Sequence, residues 1–327
     1  MAGKKKHSLA EIRSLEREKR KRLYEACMPL SGIGWRKRLR FVVSFILELD
    51  RISEKEKIIL VKDRHTRTAS GTIYACTHIG GNDIQRVLQV IGESAWLMLG
   101  NPGVLYQMFL YHGLRFNGVI PFETLDRTDR RIAYARSVEL LQKGGNLLIF
   151  PEAAWNLSPN LPVMKLFPGA ARLAIETGAD IVPIAVERYG SDYYFSIGEN
   201  LCFGKAVTNE TEIWHRTAEL RDTLATLKWE IMERQPQLRR ASLSENALAE
   251  FQNEILYKNN YGEGFTLADA EAERFHDKTV TDPEDVFAPI AGIQKITVEN
   301  IKMVLHASEY SQITKNSDRK RLCRRKM

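Results

Sequence analysis

From residue 71 onward, short apolar runs alternate with longer stretches in which apolar positions recur every third or fourth residue. GTIYACT, SAWLML, GVIPF, NLLIF and DIVPIAVE predict strands, and DYYFSIG predicts another. Between them, DIQRVLQVIG, PGVLYQMFLYHG, DRRIAYARSVELLQKGG and PGAARLAIETG predict helices. TEIWHRTAELRDTLATLKWEIMERQ predicts a long helix after the last strand. Alternation of this kind predicts an α/β fold: a mostly parallel or mixed central sheet flanked by helices.

The ends of the chain read differently. Residues 9–27 are helix-favouring and heavily charged, and Ser31-Gly32-Ile33-Gly34 interrupts them. WRKRLRFVVSFILEL then sets Trp35, Leu39, Val42, Ile46 and Leu49 at helical spacing, with Arg36, Lys37, Arg38 and Arg40 crowding its start. That pattern fits an amphipathic helix packed on the domain, and equally a helix lying in a membrane interface. After about residue 240 the periodicity loosens, although ENALAEFQNEILYKN and GIQKITVENIKMVLHASEY still read as helical. The expected organisation is a basic N-terminal helical region (1–66), an α/β domain (67–240) and an α-rich C-terminal extension with a basic tail (241–327).

An apolar fraction of 44% and a charged fraction of 27% are those of a soluble globular protein. The formal net charge of +7 is weighted toward the two ends, which read as solvated tails or as contacts for phosphate. No helix-turn-helix, zinc or RNP-type pattern accompanies them, so nucleic acid is not an expected partner. The four cysteines form no CxxC pair, so no metal site is expected, and their scatter suits a reducing compartment. The opening residues lack the apolar core of a secretory signal, and FVVSFIL is too short to span a bilayer. These features predict a cytoplasmic location, peripherally associated with the membrane surface.

The candidate chemistry lies in YACTHIGGNDIQR, Tyr74 to Arg86. A strand ending on His78 presents an imidazole at the sheet edge, where open α/β folds bind ligands. Two glycines allow a tight turn, and Asp83 stands where a helix begins. Taken singly, His78 is a hydrogen-bonded histidine at a strand end and Asp83 is a helix cap. Taken together they form a dyad: Asp83 accepts from Nδ1–H and leaves Nε2 as a general base. Asp83→Asn is then expected to favour the wrong tautomer. No serine lies in a G-x-S-x-G turn, and Cys76 is expected to pack in its strand. The base is therefore expected to act on a substrate hydroxyl.

THIGGND, GVIPF (Gly118–Phe122), IFPEAAWN (Ile149–Asn156) and IVPIAVE (Ile181–Glu187) follow in this order between about residues 72 and 190. This arrangement resembles the glycerolipid acyltransferase family, which includes the lysophosphatidic acid acyltransferases. The family carries an H-x4-D block, a G-x-x-F-x-x-R-like block, an F-P-E-G-T-R-like block and a V-P-I block. The resemblance implies a glycerol-3-phosphate acyltransferase-like fold over 67–240. It also implies transfer of a fatty acyl group from a thioester, acyl-CoA or acyl carrier protein, to a hydroxyl of a lysoglycerolipid. The first acceptor it implies is 1-acyl-glycerol-3-phosphate, giving phosphatidic acid. His78 and Asp83 would be catalytic, and no cofactor or metal beyond the acyl donor is implied. An anionic membrane surface, the lysoglycerolipid and acyl carrier protein are the partners it suggests. Backbone N–H groups around Gly80 or in the Phe150–Ala154 turn are expected to hold the oxyanion.

The departures fall on the acceptor side. Gly118, Phe150, Pro151 and Glu152 match the family blocks, and a substrate-binding role is carried over to them. Thr124 stands in place of the second-block arginine, and Arg127, Arg130 and Arg131 follow it. Ala153, Ala154 and Trp155 replace the Gly-Thr-Arg of the third block. Because the family associates those arginines with the acceptor's phosphate, Arg127, Arg130 and Lys165 are the candidate substitutes. Lys165 reads equally as a surface lysine. Trp155 reads as a channel residue or a packing one, and Glu152 as a partner of the acceptor or of a site arginine. The altered blocks leave another lyso-lipid acceptor as the alternative, and a non-catalytic basic lipid- or nucleic-acid-binding protein beyond that.

Overall fold

The computed structural model describes residues 32–68, 71–100, 116–124, 126–156, 161–206, 209–236, 240–247 and 249–250. The charged segment 9–27, the helix expected at PGVLYQMFLYHG and nearly all of the C-terminal extension lie outside the described residues.

Two helices come first, α1 (Ile33–Arg38) and α2 (Arg40–Ser53). Then follow β1 (Lys57–Asp63), β2 (Thr72–Cys76), α3 (Asp83–Ile91), β3 (Ala95–Gly100), β4 (Val119–Phe122) and α4 (Arg127–Gln142). The chain continues through β5 (Asn146–Ile149), α5 (Gly169–Thr177), β6 (Asp180–Tyr189), β7 (Asp192–Ile197) and α6 (Glu210–Met232), and a short 3-10 turn at Arg240–Ser242 follows.

The seven strands form one sheet in the order β1-β7-β6-β2-β5-β3-β4. β6, β2, β5, β3 and β4 run parallel, β7 turns back antiparallel to β6, and β1 runs parallel to β7. The carboxyl ends of the five parallel strands therefore share one edge of the sheet with the starts of β7 and β1. β2 is buried along its whole length, as a strand covered on both faces must be. Tyr74, Cys76, Leu148, Val182 and Ile184 face the layer that contains α3. Ile73, Ala75, Leu147, Ile149 and Ile181 face α4, α5 and α6.

β1 lies within the stretch read as the N-terminal helical region, so the sheet begins at Lys57 rather than at residue 67. The helix expected over Trp35–Leu49 is also divided, with Leu39 between α1 and α2. Its basic residues are mostly committed to the protein. Arg36 lies between the Trp35 and Trp96 rings and donates to the Phe116 carbonyl at 3.2 Å. Lys37 donates to the Gly144 carbonyl at 2.8 Å, and Arg40 is buried with a bond to the Leu88 carbonyl. The apolar face is rotated from the expected one. Val43 and Leu47 are buried, whereas Phe41, Phe45, Ile46, Leu49 and Ile52 are exposed. No helix among the described residues is long and apolar enough to cross a membrane.

Candidate active site

β2 ends on Cys76 in the middle of the sheet, and Thr77 prolongs its pairing with β6 through Thr77 N–H to the Ile184 carbonyl, 3.1 Å. His78 is thereby delivered to the carboxyl edge. Gly80 and Gly81 then take φ of 84° and 67°, the left-handed region that favours glycine. At Gly81 a Cβ would also come within 2.5 Å of the Tyr193 hydroxyl. The chain reverses there, and Asp83 becomes the first residue of α3.

Asn82, not Asp83, occupies the cap position, and its side chain makes no cap bond. The Asp83 carboxylate turns back instead. Its Oδ2 accepts the Ile79 and Gly80 N–H groups at 2.8 and 2.9 Å and lies 2.8 Å from His78 Nδ1. An oxygen already accepting two N–H bonds is an acceptor toward the imidazole, so Nδ1 carries the hydrogen and Nε2 is the free base. Asp83 is 1% exposed and the His78 side chain 14%, so the carboxylate is shielded while the ring meets the surface.

Phe150 and Trp155 frame the imidazole. Phe150 stacks on it at 4.3 Å between ring centroids, and Trp155 meets it edge-on at 6.2 Å. Beneath the ring, Glu152 is fully buried. Its Oε1 accepts the His78 N–H at 3.0 Å, and its Oε2 accepts the Met164 N–H at 2.8 Å. Asn156 N–H donates to the His78 carbonyl at 2.7 Å, and Phe167 N–H to the Pro151 carbonyl at 2.9 Å. The loop after β5 is thus fastened to the loop after β2 through the backbone of His78. Ala153 turns this loop with φ 56°, a left-handed conformation adopted without glycine.

Several expectations need revision on these contacts. Glu152 and Pro151 are buried under the site, and Glu152 braces the two loops there. The Gly80 N–H is spent on Asp83 and the Ala153 N–H on the Phe150 carbonyl, so neither is free for an oxyanion. Gly118 stands at the start of β4, at the opposite edge of the sheet. Its φ is +108°, and a Cβ there would come within 2.7 Å of the Trp96 ring, which accounts for a glycine without any substrate. Arg127 and Arg130 are exposed at the start of α4, on the carboxyl edge. Arg130 also donates to the Thr124 carbonyl at 2.7 Å. β4 is three strands from β2, about 14 Å at ordinary strand spacing. Lys165 lies 5.5 Å from the Trp214 ring of α6. Burial first, then Asp83 and Glu152, pushes the Cys76 thiol well above its usual range, which leaves it a packed thiol and not a nucleophile.

Three residues that the motifs do not mark hold the turn. Glu56, before β1, accepts from Asn82 Nδ2 at 3.0 Å and from Arg86 Nε at 2.7 Å, and the Tyr193 hydroxyl accepts the Asn82 N–H at 2.9 Å. The signal available for one of them was an arginine at helical spacing among the apolar residues of DIQRVLQVI.

Residues 57–187 match the model of the acyltransferase family. That stretch is similar to the acyltransferase domain. Over 114 residues it is 26% identical to the 1-acyl-sn-glycerol-3-phosphate acyltransferase BAT2, chloroplastic, of Brassica napus. It is 27% identical to LPAT1, chloroplastic, of the same description, from Arabidopsis thaliana over 114 residues. Each alignment covers 35% of this chain and only 32% and 31% of the two relatives, about a third of their length. The crystal structure of the 1-acyl-sn-glycerophosphate acyltransferase PlsC from Thermotoga maritima matches with a TM-score of 0.50 at 14% identity. That match covers 62% of this chain and 83% of the other, and it shows a shared fold. The matched stretch runs from β1 to most of β6, with the His78–Asp83 pair inside it.

Proposed function

We propose that the protein transfers a fatty acyl group from acyl-CoA or acyl carrier protein to the free hydroxyl of a lysoglycerolipid, with 1-acyl-glycerol-3-phosphate as first acceptor. The observation that carries this reading is the His78–Asp83 pair, 2.8 Å apart at the carboxyl edge of the sheet, with the Nδ1 side buried. His78 Nε2 takes the proton of the acceptor hydroxyl as its oxygen attacks the thioester carbonyl. The ionised Asp83 stabilises the imidazolium that forms. When the tetrahedral intermediate collapses, the C–S bond breaks, the new ester forms, and the imidazolium returns the proton to the departing thiolate. Such a base contributes about 10²–10⁴-fold to the rate, and orientation and oxyanion stabilisation supply the rest. The names of the two plant relatives support this acceptor class.

Attachment to a bilayer surface completes the reading, because acceptor and product are lipids. The exposed Phe41, Phe45, Leu49 and Ile52 of α2 are the apolar contact. Peripheral attachment to the cytoplasmic face of a membrane is part of this proposal.

A second acceptor, a lyso-lipid without a free phosphate monoester, is favoured by one observation: the Trp155 ring, edge-on to His78, stands where the family block has arginine. The deciding experiment offers the purified chain acyl-CoA or acyl carrier protein with a panel of lyso-lipids and identifies products by mass spectrometry. Phosphatidic acid from 1-acyl-glycerol-3-phosphate, with Arg127→Ala raising KM for that acceptor, is expected. Product from a phosphate-free acceptor alone would establish the second reading, and no acylated product from any acceptor would contradict both.

A further inference from the structure

We propose that Arg86 is a positioning residue through which the seating of α2 sets the geometry of the His78–Asp83 pair. Arg86 is fully buried on α3, one turn after Asp83. Nε meets Glu56 Oε2 at 2.7 Å, and Nη2 meets Asp50 Oδ2 on α2 at 2.6 Å. Nη1 donates to Gln89 Oε1 at 2.7 Å and to the Leu47 carbonyl of α2 at 3.3 Å. The second oxygen of Glu56 holds the Asn82 amide at 3.0 Å. Glu56 therefore grips the residues on both sides of Asp83, and Arg86 fixes Glu56 to α2.

α2 depends on such ties. Of its apolar side chains, Val43 and Leu47 are buried, and the larger Phe41 and Phe45 are exposed. Its remaining polar links to α3 are Gln89 Nε2 to Glu48 Oε2 at 3.1 Å and Arg40 to the Leu88 carbonyl. A shift of α2 moves Asp50 and the Leu47 carbonyl. The rigid fork of Arg86 passes that shift to Glu56 and Asn82, because a buried carboxylate follows its cation. The Ile79–Asn82 turn, whose Ile79 and Gly80 N–H groups orient Asp83, moves with them.

The activity part of the test rests on the acyl-transfer reading; the spectroscopic part does not. In ¹⁵N-histidine-labelled full-length protein, the His78 Nδ1–H resonance is assigned by its loss in His78→Ala. Arg86→Lys keeps the charge and removes the fork. It is expected to remain folded, to lose or broaden that resonance, and to lower kcat roughly ten- to a hundred-fold with the thioester KM unchanged. Asp50→Asn, at a partly exposed position, is expected to do the same more weakly. A folded Arg86→Lys protein with the wild-type resonance and kcat would overturn the proposal. Should Arg86→Lys not fold, Asp50→Asn decides, and an unchanged resonance and kcat there would overturn it equally. If the wild type shows the resonance but transfers no acyl group, the proposed reaction fails, and the resonance in the variants still judges Arg86.

Discussion

Glu152 reaches from the loop after β5 to accept the backbone N–H of His78 at 3.0 Å. Its other oxygen accepts the Met164 N–H at 2.8 Å, so one buried carboxylate closes two loops around the imidazole. Glu152→Gln keeps the shape and one acceptor but turns an amide NH₂ toward the other N–H. A lost bond to a buried donor costs about 1–3 kcal/mol. The variant is expected to unfold at a lower temperature and to turn over more slowly, as calorimetry and an acyl-transfer assay will read. Unchanged melting and rate would mean that the carboxylate is not the brace.

Asp83→Asn should behave differently from a simple tautomer switch. Three donors converge on Oδ2, so the amide oxygen must take that place and the NH₂ the other. Oδ1 is buried without a hydrogen-bond partner, so the NH₂ takes the place of an oxygen that makes no bond. The histidine tautomer is therefore retained, and what is lost is the charge that stabilises the imidazolium. ¹⁵N chemical shifts of His78 should show Nδ1 protonated in both proteins while the rate falls; a proton moved to Nε2 would show that the backbone donors do not fix the oxygen.

Ala153 holds a left-handed φ of 56° at the position where the family block has glycine. Alanine there costs about 1 kcal/mol relative to glycine. Ala153→Gly should raise the melting temperature by about 2–4 °C for a domain of this size. A melting temperature that stays put or falls would show that the turn relaxes around alanine.

The proposed membrane contact can be separated from the fold. Phe41 and Phe45 are 66% and 63% exposed, so Phe41→Ser and Phe45→Ser should leave melting almost unchanged. Each ring entering a bilayer interface contributes about 1.5 kcal/mol, roughly ten-fold in affinity. Flotation with anionic liposomes should weaken by about that factor per substitution. Equal flotation of the double variant would assign attachment to another part of the chain.

The strand–helix alternation and the H-x4-D spacing were legible because each is a local pattern. β1 was not: KIILVKD is short, begins and ends on charges, and follows a helix after only three residues. Its place beside β7 is decided by residues more than a hundred positions away. Glu152 was legible as a motif residue but not as a brace, since its partners lie 74 and 12 residues from it in sequence. Glu56 and Arg86 were hidden for the same reason. A charged residue reads as solvent-facing until the tertiary structure supplies the opposite charge that lets it be buried.

His78 is the proposed base, and the reading of the site stands or falls with it. The most direct measurement compares initial rates of acylated product formation, by mass spectrometry, for the wild-type chain and His78→Ala under saturating thioester and acceptor. The expected result is an unchanged melting temperature and a rate lowered by about 10²–10⁴-fold. A folded His78→Ala protein that turns over at the wild-type rate would contradict it.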